Sequence, residues 1–403
     1  MIFSGRSTVW RYYAYCVSLS NGFFIPVGIL YMQYQGLGLD AIGFTQGVFL
    51  FTIVASEIPT GYLGDRIGRR RSLILGNTLV ALVMVTYPFA DSFSEFIVLF
   101  VVWAFGTSFK SGTAEAWLYE MLKQRLDESE FARINGRGKT FTFGTSALTA
   151  AAAGALFAFN PIAPFLANAV LSALGIPILL SLPEVTVKDK DHDHFRIRDA
   201  VQALRIQVSE PKIRWFVLYV SLFFAVIEIA RTFEQPAAVA VGMPVTLIGI
   251  MYSVFKLLSA GAASLTGVVE DRIGIQTAFV LLVPLIVVAY ASVYLLPQAI
   301  ILVFFMLRGL RSITGPLRNQ YLNDRLGSTG RATALSGVSM TMSLAGGTAQ
   351  FLAGKVVTLT GIIDMLVLSG VGIMILAAIV WLFTSPIRTL DQSTNESEAT
   401  ATD

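Results

Sequence analysis

Apolar stretches of about twenty residues follow one another along this chain, separated by short polar breaks, and about 20 residues is what a helix needs to cross a bilayer. Lipid offers the backbone no hydrogen-bond partner, so each stretch must satisfy its own N–H and C=O groups, which a helix does. Strands of a membrane barrel would alternate apolar and polar residues, and these segments do not. Composition agrees: 55% of the 403 residues are hydrophobic and 14% charged, against about 25% charged in a soluble domain. A soluble core could not hold that much apolar surface, so lipid has to cover part of it. The reading is an all-α membrane protein of twelve transmembrane helices.

The first six spans are predicted near Tyr12–Tyr34, Ala41–Leu63, Ser72–Ala90, Phe96–Met121, Gly138–Phe159 and Ile162–Leu182. The second six are predicted near Ile213–Gln235, Pro244–Val269, Ile275–Leu296, Ala299–Leu322, Ala332–Val357 and Ile362–Phe383. This divides the chain into an N-terminal six-helix bundle (1–182), a central cytoplasmic loop (183–212), a C-terminal six-helix bundle (213–384) and a tail (385–403). The tail is rich in Ser, Thr and Glu, a composition that favours disorder.

Lys and Arg gather in the links after even-numbered spans. These hold Arg66, Arg69, Arg70 and Arg71, then Lys123, Arg125, Arg133 and Arg137, then Arg196, Arg198, Arg205 and Lys212. The links 36–40, 91–95 and 297–298 hold none. Cationic loops stay on the cytoplasmic side, so a multi-pass plasma-membrane protein with both termini in the cytoplasm is expected. Arg6 and Arg11 precede a first segment too long for a signal-peptide core, so no cleavable leader is expected. The single cysteine, Cys16, excludes an intramolecular disulfide and a thiolate metal cluster.

The halves resemble each other. Gly61, Asp65, Arg66, Ile67 and Gly68 recur as Gly267, Asp271, Arg272, Ile273 and Gly274. Gly106, Gly112 and Glu115 line up with Gly309, Gly315 and Arg318. Transporters made of two such repeats bind substrate near the bilayer midplane and expose it alternately to each side.

The run Gly61-Tyr62-Leu63-Gly64-Asp65-Arg66-Ile67-Gly68-Arg69-Arg70-Arg71 resembles the signature loop between helices 2 and 3 of the major facilitator superfamily. The partial copy in the second half, the twelve spans and the long central loop extend that resemblance over the chain. It implies two pseudo-symmetric six-helix bundles and transport rather than catalysis. It also implies a conformational latch made by Gly61, Asp65, Arg66, Gly68, Arg69, Arg70, Asp271 and Arg272, closing the cytoplasmic side in the outward-facing state. The chemistry fits such a role. Gly61 lets a neighbouring helix approach closely, Asp65 suits a helix N-terminus, and Arg69 or Arg70 can pair with Glu120, Asp127 or Glu128. The stretch from Ser111 to Tyr119 looks like a Ser-Gly-x-x-Glu-Ala-x-x-Tyr run of uncharacterised prokaryotic members, some grouped with drug exporters. The Gly-Pro motif of helix 5 and the Arg-x-x-Gln-Gly pattern of helix 4 in proton-driven drug antiporters are missing. Export of a metabolite or drug is slightly favoured. Uptake of an organic anion, or a non-transporting receptor on the same fold, are the alternatives.

Ionisable residues within the membrane cost several kcal/mol and mark function or pairing. At about 1.5 Å per residue, Lys256 lies about 18 Å along the eighth span, near the midplane. The cavity candidates are Lys110, Glu115, Trp117, Tyr119, Glu228, Lys256, Arg308 and Arg311. Deep cations (Lys110, Lys256, Arg308 and Arg311) outnumber deep acids (Glu57, Glu115 and Glu228), and in the second half the cations face mainly Glu228. Glu228, Arg231 and Glu234 are spaced three apart and share a helix face. Unpaired Arg and Lys favour an anionic or carboxylate-bearing solute.

Proton coupling needs a carboxyl that titrates near neutral pH, which burial provides. Glu115, Glu57 and Glu228 are the candidates, with Glu115 preferred for its motif-like neighbours. His192 and His194 lie in the solvated central loop and do not serve. No glycine-rich nucleotide loop is present, so an ion gradient is the expected drive, and no cofactor, metal site or nucleic-acid partner is expected. The partners are a small-molecule substrate, protons or another coupling ion, and the lipid bilayer, with the protein acting as a monomer. No His-Glu-x-x-His helix and no intramembrane histidine are present, which removes the usual general base of an enzyme.

Overall fold

The computed structural model describes residues 2–185, 213–325, 331–384 and 386. These residues form helices joined by turns and short 3-10 segments, and no strand occurs among them. In chain order the helices are α1 (Ile2–Ser18), α2 (Gly28–Tyr34), α3 (Leu39–Ile67), α4 (Arg69–Thr86), α5 (Phe93–Lys110), α6 (Thr113–Arg125), α7 (Phe131–Phe159) and α8 (Ala163–Ser181). After these come α9 (Arg214–Ala240), α10 (Val245–Ser264), α11 (Thr266–Ile273), α12 (Ile275–Leu295), α13 (Ile300–Arg325), α14 (Arg331–Thr360) and α15 (Ile362–Thr384).

Among the described residues, ten helical stretches are long and apolar enough to cross a membrane. The first predicted span is not one of them, because it is broken. α1 ends at Ser18, and residues 19–27 run as turns before α2 begins. Pro26 lacks an N–H and disfavours helical geometry in Ile25. The Gly22 N–H donates to Ser20 Oγ at 3.2 Å, and the Phe24 and Ile25 N–H groups both donate to the Asn21 carbonyl. The fourth predicted span also breaks, between α5 and α6, where Gly112 takes φ +68°. The eighth divides at Leu265 between α10 and α11. The eleventh corresponds to α14.

The repeated glycines have a backbone reason. Gly68 (φ +89°) ends α3 and begins α4, and Gly274 (φ +78°) does the same between α11 and α12. Side-chain-bearing residues pay a steric cost at positive φ, and glycine does not.

The chain divides into two compact units, one holding α1–α8 with α10 as far as Leu257, the other holding α9, the remainder of α10 and α11–α15. Residues 242–257, which a boundary at 213 places in the second half, group with the first unit. Gly154 of α7 explains part of this, since a Cβ there would lie 2.6 Å from the Val245 carbonyl oxygen.

The first unit has two apolar clusters. One gathers Phe24, Tyr31, Tyr87, Phe96, Phe100 and Phe165. Its buried phenols are satisfied, Tyr31 donating to the Pro88 carbonyl at 2.6 Å and Tyr87 to the Gly28 carbonyl at 2.9 Å, as buried tyrosines require. The other packs Tyr12, Cys16, Trp117, Leu122 and Leu179. Helices α4 and α5 touch backbone to backbone: a Cβ on Gly76 would lie 2.7 Å from the Gly106 carbonyl oxygen. Small residues give membrane helices this close approach. In the second unit α9 is the central helix, buried along 78% of its spanning window and packed on α14 and α15. Exposed leucines and phenylalanines such as Leu148, Leu295, Leu302 and Phe383 suit a surface meant for lipid.

Candidate functional site

In the first unit the broken helix opens a cavity of about 260 Å³. Asn21, Gly22, Ile25 and Pro26 from the break line it, with Thr142, Phe143 and Ser146 of α7 and Tyr252 and Lys256 of α10. Discontinuous helices mark the substrate region in many transporters, because unwound backbone is tolerated at membrane depth only against protein or a polar cavity. Lys256 Nζ lies 5.8 Å from the Phe143 ring centroid, within cation–π range. Beside it runs a short hydroxyl chain, Ser20 bonding Ser146 at 3.1 Å and Thr149 at 3.2 Å. Lys256 was legible in the sequence as a deep cation. The break was missed, although Asn21-Gly22 and Pro26 signal it inside the apolar segment.

The other first-unit candidates are dispersed. Glu115 is 47% exposed and pairs with Lys139 of α7 at 2.8 Å, a partner the sequence reading did not name. Trp117 belongs to the core: it is 1% exposed, stacks on Tyr12 at 6.2 Å and donates its Nε1 proton to the Pro183 carbonyl at 3.1 Å. Tyr119 is exposed and donates to Glu128 Oε2 at 3.3 Å. Neither aromatic residue lines the 260 Å³ cavity. Lys110 ends α5 with its stem against Gly76 and has no carboxylate partner among the described residues. Glu57 is half-buried on α3, and its carboxylate likewise has no partner among them.

In the second unit the charges form a cluster around α9. Glu228, 3% exposed, receives two bonds from Arg231 Nη1, at 2.8 and 2.9 Å, and one from Arg311 Nη1 at 2.8 Å. Arg308 pairs with the buried Glu234, which corrects the expectation that it faces Glu228. Gln350 of α14 donates to the Glu228 carbonyl oxygen at 3.2 Å and to Thr232 Oγ1 at 2.9 Å. Two turns beyond Arg311, the Arg318 guanidinium bonds only neutral acceptors among the described residues. These are Asn319 Oδ1 at 2.9 and 3.2 Å and the Met342 thioether sulfur at 3.2 Å.

The residues of the expected latch are placed differently from the sequence reading. Arg70 bonds Glu184 Oε1 at 3.0 Å and the Leu182 carbonyl at 2.7 Å, and Arg71 lies 3.5 Å from the same carboxylate. Of the acids expected as partners, Glu128 accepts from Tyr119, and Asp127 accepts the Ser129 N–H at 2.9 Å. That backbone bond holds the Asp127 carboxyl below its ordinary range. Arg66 sits over the ring of its own helix's Tyr62, 4.9 Å from the centroid. Among the described residues, a Cβ on Gly61 would meet nothing within 4 Å. Arg69, Asp271 and Arg272 make no ion pair among the described residues, and the last two are exposed. The Asp65 side chain, His192, His194 and most of the central loop and tail lie outside the described residues. Among the described residues, no cluster of three or more His, Cys, Asp or Glu could hold a metal ion.

The sequence profile of the Major Facilitator Superfamily matches residues 14–348. An uncharacterised MFS-type transporter of Bacillus subtilis (strain 168), YxaM, is 24% identical over 205 residues, and the match spans half the length of each protein. Among solved structures, the nucleoside transporter NupG aligns with a TM-score of 0.74 at 13% identity, covering 94% of this chain and 98% of its own. A D-xylose–proton symporter aligns with a TM-score of 0.69 at 12% identity, covering 95% and 98%. At such identities these structures establish the fold alone. With the membrane-length helices, the profile match shows that this chain belongs to the Major Facilitator Superfamily of multi-pass membrane transporters.

Proposed function

We propose that this transporter moves a small anionic solute by alternating access, driven by a proton gradient. The observation that carries the reading is Lys256 in the wall of the first-unit cavity, beside Asn21, Thr142 and Ser146. An ammonium in the cavity wall with hydrogen-bonding side chains suits a carboxylate or phosphate-like group, and the aromatic side chains of Phe143 and Tyr252 suit the solute's body. The second unit adds to the cationic bias, with Arg231, Arg308, Arg311 and Arg318 against Glu228 and Glu234. The run from Ser111 to Tyr119 favours export.

Thermal-shift titration of the purified protein in detergent with organic anions tests this. A charge-assisted bond contributes about 1.5–3 kcal/mol, so Lys256→Gln is expected to weaken anion binding about tenfold or more while yield is kept. Stabilisation by lipophilic cations that ignores the substitution would overturn the anionic reading. Equal loss of yield and binding would make Lys256 a structural residue.

An acid bonded to a cation must give up that bond to take a proton. Glu115 is held by Lys139, and Glu228 by two arginines. Glu57, half-buried and without a partner among the described residues, is therefore the proposed proton carrier. Glu57→Gln is expected to leave anion binding intact while removing the response of flux to an imposed pH gradient in proteoliposomes. A pH response that persists would move the proton to Glu115.

A further inference from the structure

The second unit holds another cavity, of about 150 Å³, between α9, α12, α13 and α14. Arg311 and Arg318 line it with Phe223, Phe224, Phe279 and Met342. The two arginines are seven residues apart, two turns along one face of α13 and about 10.5 Å along its axis. Arg311 is already bonded to Glu228, and its guanidinium lies 5.4 Å from the Phe224 ring centroid. Arg318 is the anomaly. Its donors end on a neutral amide oxygen and a thioether, and sulfur is a weak acceptor. A partly buried cation without a counter-charge is costly, and an anion in the adjoining cavity would remove that cost.

We propose that this cavity binds a small amphipathic monocarboxylate, its carboxylate forked on Arg318 and its apolar body between the phenylalanines. Planar guanidinium matches carboxylate in a bidentate pair. The aromatic and thioether walls disfavour phosphate, whose third and fourth oxygens would lose water without gaining donors. The volume admits a body of about one six-membered ring. This cavity shares no lining residue with the one around Lys256, so the two assignments stand or fall separately.

The test uses the full chain in detergent, with 4-fluorobenzoate followed by fluorine NMR. Saturable binding is expected in the unaltered protein, weakened about tenfold or more in Arg318→Gln. It should be only partly retained in Arg318→Lys, which keeps the charge but loses the fork, and it should not be competed by inorganic phosphate. The component lost in Arg318→Gln should persist in Lys256→Gln. A second measurement does not depend on a variant folding: fluorobenzoate should protect Arg318 from phenylglyoxal, read by peptide mass spectrometry. Absence of saturable binding, equal affinity in Arg318→Gln, unprotected Arg318 or effective competition by phosphate would each overturn the proposal. Binding lost in Lys256→Gln but kept in Arg318→Gln would overturn it too, while leaving the transport reading intact.

Discussion

Glu228→Gln is expected to destabilise the protein by about 3 kcal/mol, read as a lower melting temperature and a smaller monodisperse fraction in detergent. Removing one partner of a buried ion pair costs about 3–5 kcal/mol, because the remaining charge is left uncompensated. Here Glu228 is 3% exposed while Arg231 and Arg311 are 39% and 40% exposed, so the arginines can relax towards solvent and the lower figure applies. The compensating variant is Glu228→Gln with Arg311→Met, which removes one of the two stranded cations. It should recover part of the loss, because contacting residues do not contribute additively. A single variant as stable as the parent would show that the cluster bears no structural weight, and would return Glu228 to the list of proton carriers.

Gly76→Leu should be equally damaging for a steric reason. A Cβ at this position would sit 2.7 Å from the Gly106 carbonyl oxygen and 2.9 Å from Phe109 Cβ. Backbone cannot yield as a flexible side chain does, so α4 and α5 must separate. Overpacking costs about 1–3 kcal/mol for an added methyl or two and more for a larger group. Gly76→Ala should therefore be measurably less stable, and Gly76→Leu should fail to accumulate as folded protein. Gly61→Leu is the control, since no described residue lies within 4 Å of its Cβ position. If Gly76→Leu melts like that control, the α4–α5 contact is not what holds these helices together.

The membrane spans were legible because lipid imposes a length and a polarity on every stretch that crosses it. The breaks within spans were less legible. Asn21, Gly22 and Pro26 are turn formers, but the apolar residues around them made the first segment look continuous. Pairings within one helix could be read, as Glu228 with Arg231 shows, because three residues bring two side chains to one face. Pairings between helices could not: Arg311 finds Glu228, Arg308 finds Glu234 and Glu115 finds Lys139 only after the helices pack. The surplus of deep cations was visible before folding, but its location was not. Lys256 sits with the hydroxyls of the first unit, and on α13 it is Arg318 whose guanidinium meets only neutral acceptors among the described residues, which no spacing distinguishes from its neighbours.

Gly68 and Gly274 also bear on how such a chain diversifies. Both copies of the repeat keep glycine where a helix must reverse into the next with positive φ, a demand that no side chain can meet cheaply. At another matched position the copies carry opposite charge, Glu115 in one and Arg318 in the other. Where two halves of a chain share a pattern in this way, backbone geometry acts as a fixed constraint and electrostatics as a free variable. New solute preference can then arise in one copy while the other still folds by the old rules.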